Sequence, residues 1–303
     1  MRDSLDVEHV GAALVTSGQP WRGVEFHAAL GSTNTRLREL LTGGAAPTGP
    51  YAARPLGADG CRWWVVLTDH QTGGRGRLDR VWQVPDRASV AVSCAVPVSG
   101  PAVAGWLPLL AGLALARALR AVGAAAGHEL DPRLKWPNDV LLADDGDRKV
   151  SGILCELVLR PDGPVVVVGT GVNIDQDRAE LPVETATSLA LAGARVRRED
   201  VVVAYLDELA RLLPRTGADA SEIGSDAVSD GAPEVVSEVS AQAKAAYRAA
   251  CSTIGVDVRV HLPGGAVVEG EAMGLDADGG LVVQTGRGPR TFAAGDVVHL
   301  RRA

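Results

Sequence analysis

The chain has 303 residues, 46% of them hydrophobic, enough to bury a sizeable core in one large domain with a smaller companion. A formal net charge of -7 argues against a dominant nucleic-acid surface, which would draw on an excess of lysine and arginine. The cysteines Cys61, Cys94, Cys155 and Cys251 fall in no CxxC or Cys/His pairing, so reduced, mostly buried cytosolic thiols are expected rather than a disulfide or zinc framework.

Taken in chain order, the amino terminus MRDSLDVEHV is polar and acidic and lacks the basic start and apolar centre of a signal peptide. No run of about 18 apolar residues is evident, so no membrane-crossing helix is expected. Residues 1 to 30 read as a short lead-in, with Pro20 and Gly23 interrupting any long helix. Ser32 then opens a helix whose Leu37, Leu40 and Leu41 share one face. Residues 61–68 and 89–98 are β-branched and read as strands, and 105–123 as a long apolar helix. Three further strands are expected at 134–142, 150–159 and 164–174, and an amphipathic helix at 198–213 stops before Pro214. Residues 215–240 are rich in Ala, Ser, Gly, Asp and Glu and lack aromatics, the composition of a flexible insertion or linker. A helix near 241–250 follows. The remainder shows five short strands broken by glycine turns, the spacing of a small β-barrel.

Four segments carry candidate chemistry. The run Gly73-Gly74-Arg75-Gly76-Arg77, extended by Arg80 and Trp82, combines backbone freedom with forked guanidinium donors suited to phosphate and carboxylate. A solvated basic loop, or one that touches nucleic acid, would read the same way, although this run is short and bracketed by strands. Lys135-Trp136-Pro137-Asn138-Asp139 sets an ammonium and an aromatic ring among turn-formers, and turn duty alone would also explain it. Lys149 begins the strand Val150-Ser151-Gly152-Ile153-Leu154-Cys155-Glu156, where an ammonium either reaches into a pocket or marks a solvated strand edge. Gly169-Thr170-Gly171-Val172-Asn173 allows a close ligand approach or a bulge.

The series STN, HQTGGRGRxxRxW, KWPND, KVSGILCE and GTGVN, in this order, resembles the biotin–protein ligase family across about residues 24–213. The resemblance implies an α+β fold, with a mixed, largely antiparallel sheet and flanking helices of the class II synthetase-like ligase type. It also implies an SH3-like barrel over about 254–303, behind a catalytic region spanning 1–250. The implied activity forms a biotinoyl-adenylate from biotin and ATP, with Mg2+, and transfers the acyl group to a lysine of a biotin carboxyl carrier protein in the cytoplasm. A lipoate or octanoate ligase of the same fold is the alternative.

By position, Ser32, Thr33, Asn34, Gln71, Arg75, Gly76, Arg77, Lys149 and Gly152 would meet biotin. Arg75, Arg77, Arg80, Trp82, Lys135, Asn138 and Asn173 would meet the nucleotide. Lys149 and Arg77 would be catalytic, and Asp139 is a weak magnesium candidate. The loop 72–80 would be mobile until ligand orders it. Asp79, where glycine is usual, either weakens the local field or tethers the loop through Arg80, and Thr170 stands where an aliphatic residue is usual. With about 30 residues ahead of Ser32, no DNA-binding domain or repressor role is expected; neither a nucleic-acid nor a membrane partner is expected, while a weak homodimer is allowed.

Overall fold

The computed structural model describes residues 2–16, 18–51, 63–78, 80–216 and 235–300. Seven strands form one sheet: β1 (Gly23–His27), β2 (Trp64–Thr68), β3 (Ser89–Pro97), β4 (Pro132–Lys135), β5 (Asp139–Leu142), β6 (Arg148–Val158) and β7 (Val165–Asn173), in the order β1-β2-β3-β7-β6-β5-β4. β1 and β2 run parallel, and every other pairing in this sheet is antiparallel. Two expectations are corrected here. The lead-in contains α1 (Val7–Leu14) and β1. The strand expected at 134–142 is a hairpin, because Trp136-Pro137-Asn138 turns the chain between β4 and β5.

Helices lie on both faces. α2 (Thr33–Leu41) packs Leu37, Leu40 and Leu41 against Trp64, Val66, Ala95, Val158, Val165 and Val167. The opposite face carries the larger core. There α3 (Pro101–Ala125) and α4 (Arg198–Leu212) cover Val92, Cys94, Val166, Val168 and Ile153, with α1 packed against α4. By length and composition α3 could cross a membrane, contrary to expectation, but its apolar window is 72% buried within the protein. Thr170 also points to this face, where its hydroxyl lies 2.8 Å from Tyr205 Oη. That bond accounts for a polar residue where an aliphatic one is usual.

The end of α4 leads to β8 (Arg215–Thr216), which pairs with β9 (Val235–Val236). The insertion expected at 215–240 is therefore a paired ladder at both ends, and residues 217–234 lie outside the described residues. α5 (Ala241–Ala250), capped by Ser240, follows. β10 (Asp257–His261), β11 (Val267–Leu275), β12 (Leu281–Thr285), β13 (Gly288–Phe292) and β14 (Asp296–His299) then form an antiparallel sheet in the order β13-β12-β11-β10-β14. Its Val258, Val260, Leu281, Val283 and Phe292 join the α3 core. Trp106 Nε1 donates to Ala277 O at 2.7 Å and Trp136 Nε1 to Gly279 O at 3.0 Å. A Cβ at Gly105 would stand 2.6 Å from Asp278 O, so this docking requires glycine on α3.

Candidate active site

Sheet register explains where the site opens. On the α2 face, successive rows read Ala95-Val167-Glu156, then Ser93-Gly169-Leu154, then Ala91-Gly171-Gly152. Bulk falls away beyond the amino terminus of α2, leaving a floor of small residues. A Cβ at Gly171 would stand 2.7 Å from the Trp82 ring, and one at Gly152 would stand 3.4 Å from that ring and 3.0 Å from Lys149 Nζ. A Cβ at Gly169 would collide with Asn34 Oδ1 at 2.0 Å. Each glycine is thus needed for the close approach of a side chain.

The positive end of α2 faces this floor. Ser32 caps the helix, its Oγ accepting from Thr35 N at 3.4 Å. Gln71 Oε1 accepts from Thr33 N at 2.9 Å and from Thr33 Oγ1 at 3.1 Å. Ser93 Oγ donates to Asn34 Oδ1 at 2.6 Å and lies 2.7 Å from Thr33 Oγ1. Asn34 Nδ2 donates to Glu156 Oε2 at 2.7 Å and Leu154 O at 3.1 Å. Ser93 and Glu156 were not singled out from sequence. Glu156 closes a motif that was, but Ser93 sits in a plain strand and only its register reveals it.

The Gly/Arg run folds back on itself: Gly76 N donates to Arg80 O at 2.7 Å and Trp82 N to Gly74 O at 2.9 Å. Arg75 is paired with Glu156 at 3.2 Å, and Arg77 Nη1 donates to Asn138 Oδ1 at 3.2 Å. Arg80 forms an ion pair with Asp296 of the carboxyl-terminal sheet. Asp79, the other expected tether, lies outside the described residues. This run roofs a cavity of about 810 Å³ whose walls include Arg75, Gly76, Arg77, Arg80, Asn138, Cys155 and Glu156, with Ala293 and Ala294 from the bend between β13 and β14.

Lys149 stands beside this cavity. Its Nζ is 2.6 Å from Asp139 Oδ1 and 5.8 Å from the Trp82 ring centre. Trp82 Nε1 is buried over Gly171 without a partner among the described residues. Burial pulls the Arg77 guanidinium below its ordinary value, opposed by Asp139 and reinforced by Arg80. Burial likewise lowers the Lys135 ammonium, opposed by Asp139 and reinforced by Lys149 and Arg80. Crowded, desolvated cations of this kind favour an incoming anion. Burial pushes the Cys155 thiol up to about 12, which leaves it protonated and inert.

Asn173 is drawn away from this group. Its Nδ2 donates to Thr187 O and its Oδ1 accepts from Gln176 Nε2, both at 2.9 Å, and it is 4% exposed. The residues also provide no resident magnesium cage. Among the described residues no three His, Cys, Asp or Glu side chains cluster to hold a metal, and Asp139 is already paired with Lys149.

The Biotin/lipoate A/B protein ligase family model matches residues 62–173, and the biotin protein ligase C-terminal domain model matches 253–300. The chain is 35% identical to the biotin–[acetyl-CoA-carboxylase] ligase of Mycobacterium tuberculosis, over 99% of this chain and 98% of the relative. It is 27% identical to the bifunctional ligase/repressor BirA of Bacillus subtilis, over 90% of this chain and 72% of the relative. In fold it is similar to the Aquifex aeolicus biotin protein ligase solved in complex with biotin and ATP, with a TM-score of 0.61, 22% identity, and 93% of this chain and 100% of that one covered.

Proposed function

Because the chain belongs to the biotin protein ligase family, we propose that it activates biotin with ATP and transfers the biotinoyl group to a lysine of a biotin carboxyl carrier protein, in the cytoplasm. The observation that carries this reading is the floor of Gly152 and Gly171 under the Trp82 ring, with Lys149 at its edge and the Gly/Arg roof above. A flat indole wall laid on glycine and ending at an ammonium suits an apolar fused ring with a carboxylate tail. Trp82, expected on the nucleotide side, is assigned to the biotin side.

In the first step a biotin carboxylate oxygen bonds to the α-phosphorus of ATP and the bond to the β-phosphate oxygen breaks, releasing pyrophosphate. Lys149 would meet the carboxylate and the α-phosphate, while Arg77, Arg80 and Lys135 would face the rest of the phosphate chain. Positive charge fixed where phosphate charge develops is the main help that such a step needs. Asn138 would set Arg77, and Arg75 would reach the ligand by leaving Glu156. Ser32, Thr33, Asn34, Gln71 and Gly76 would complete the biotin side. In the second step the acceptor lysine nitrogen bonds to the acyl carbon, loses a proton, and AMP departs. The roof would keep water from the anhydride in between. Mg2+ is expected as the ion that accompanies ATP, and no residue is assigned to it. We further propose a working division into a catalytic region, 1–250, and a carboxyl-terminal unit, 254–303.

Biotin-dependent ATP–pyrophosphate exchange tests this reading. Exchange with biotin and none with lipoate or octanoate is expected, followed by streptavidin-detectable labelling of a carrier protein. Exchange driven by lipoate or octanoate instead would overturn it.

A further inference from the structure

Lys149 is fastened at its backbone by a segment that belongs to neither neighbouring strand. The β6–β7 ladder ends where Ser151 faces Val172. Two residues earlier in β6, Lys149 would leave a backbone donor and acceptor bare on that edge. Instead its N–H donates to Thr185 O and its carbonyl accepts from Thr187 N, both at 2.8 Å, in a parallel bridge centred on Ala186. The same segment closes off β7, since Thr187 O accepts from Asn173 Nδ2 at 2.9 Å and Leu189 N donates to Asn173 O at 3.2 Å.

Thr187 is the joint of this clip. It is fully buried, and its hydroxyl donates to the Asp145 carboxylate, which is also held by Arg178 and by Arg148 Nη1 at 3.0 Å. Arg148 Nε reaches back to Glu184 O at 2.9 Å, and Arg178 Nη1 to Ala186 O at 3.0 Å. Burial works against the charge on Asp145, yet the hydrogen bonds from Thr187 and Arg178 hold it below the ordinary carboxylate value. Charge-assisted bonds therefore clamp residues 184–187 beside Lys149 from both ends.

We propose that Thr187 is a positioning residue for Lys149, fixing through the 185–187 clip how far its ammonium extends over the floor. The proposal rests on the reading of Lys149 as the group that meets carboxylate and α-phosphate. The charge that Lys149 meets grows in the transition state, so a displacement of a few tenths of an ångström costs more there than in the ground state, and loss of the clip should lower kcat more than it raises KM.

The test is biotin-dependent ATP–pyrophosphate exchange by the full chain, with thermal melts as a check on folding. Thr187→Val is expected to lower kcat about tenfold and leave the KM for biotin and ATP within about twofold. Thr187→Ser, which keeps the hydroxyl, should restore kcat. Added to Lys149→Met, Thr187→Val should remove nothing further, because the group it positions is gone. Wild-type kcat in Thr187→Val beside a Lys149→Met lowered roughly 10²–10³-fold but still measurable would overturn the positioning role and leave the Lys149 reading standing. So would a further loss in the double variant. A fully active Lys149→Met would overturn both. Should Thr187→Val not fold, Asp145→Asn reads the same clip, with about a tenfold lower kcat expected and an unchanged one decisive against it.

Discussion

The two faces of the seven-stranded sheet are built from the same strands and yet behave differently. Under α3 and α4, residues such as Val92, Cys94, Val166 and Val168 are buried and apolar, and the polar Thr170 beside them is bonded to Tyr205. Under α2 the same strands start apolar, with Ala95, Val167 and Val158, and pass within two rows to Ser93, Gly169, Gly171 and Gly152. One face uses bulk to hold the molecule together, and the other removes bulk so that side chains and ligands can lie close to the backbone. The lesson is that this site is defined by side chains left out as much as by those supplied.

Four experiments would break or sharpen that contrast. The largest effect on stability should come from the packed face. Leu110→Ala, at a fully buried α3 position, is expected to cost about 2–5 kcal/mol in denaturant unfolding with turnover per folded molecule unchanged. On the open face Lys149→Ala should do the reverse. Loss of its charge contact is expected to lower exchange roughly 10²–10³-fold, while the melting temperature stays near that of the parent. Gly171→Ala comes next, because its Cβ would stand 2.7 Å from the Trp82 ring. Displacing the ring should raise the KM for biotin by roughly tenfold to a hundredfold, equivalent to about 1–3 kcal/mol of overpacking, and an unchanged KM would mean that Trp82 does not meet biotin.

The smallest effect concerns the carboxyl-terminal sheet. Burial lowers the His299 imidazole below its ordinary value of 6.5, Lys135 adds to this, and Asp147 opposes it. Its Nε2 lies 2.9 Å from Thr253 Oγ1, which accepts from Trp136 N at 3.0 Å. Below pH 6.5 the unfolded chain then binds more protons than the folded one, and stability falls as pH falls through that value. A shallow drop in melting temperature on acidification, flattened in His299→Gln, is the expected result.

Much of this architecture was legible beforehand. The valine runs, the serine-capped α2, the long α3 and the five short carboxyl-terminal strands each carry local periodicity and punctuation. β1 and α1 were missed because GVEFH and VEHVGAAL are too short for their pattern to stand out, and each is stabilised by a partner distant in sequence, β2 or α4. The hairpin inside 134–142 was read as one strand because its flanks are continuous in β character, even though Pro137 sits at the turn. The pairing of Arg75 with Glu156 and of Arg80 with Asp296 had no local trace, since their partners are 81 and more than 200 positions away.

The sequence by itself determined the family, the reactive residue types and the segments that bear them, because those depend on glycine freedom, guanidinium forks and turn chemistry, all of which are local. Only the tertiary structure decided the neighbours: that Trp82 rests on Gly171 and Gly152, that Ser93 and Glu156 bind Asn34, and that the 185–187 segment supports Lys149 while drawing Asn173 away from the cavity. The reason is register. Alternation along a strand says which residues share a face, but which residue lies beside which depends on how separate strands align, and long-range packing sets that alignment.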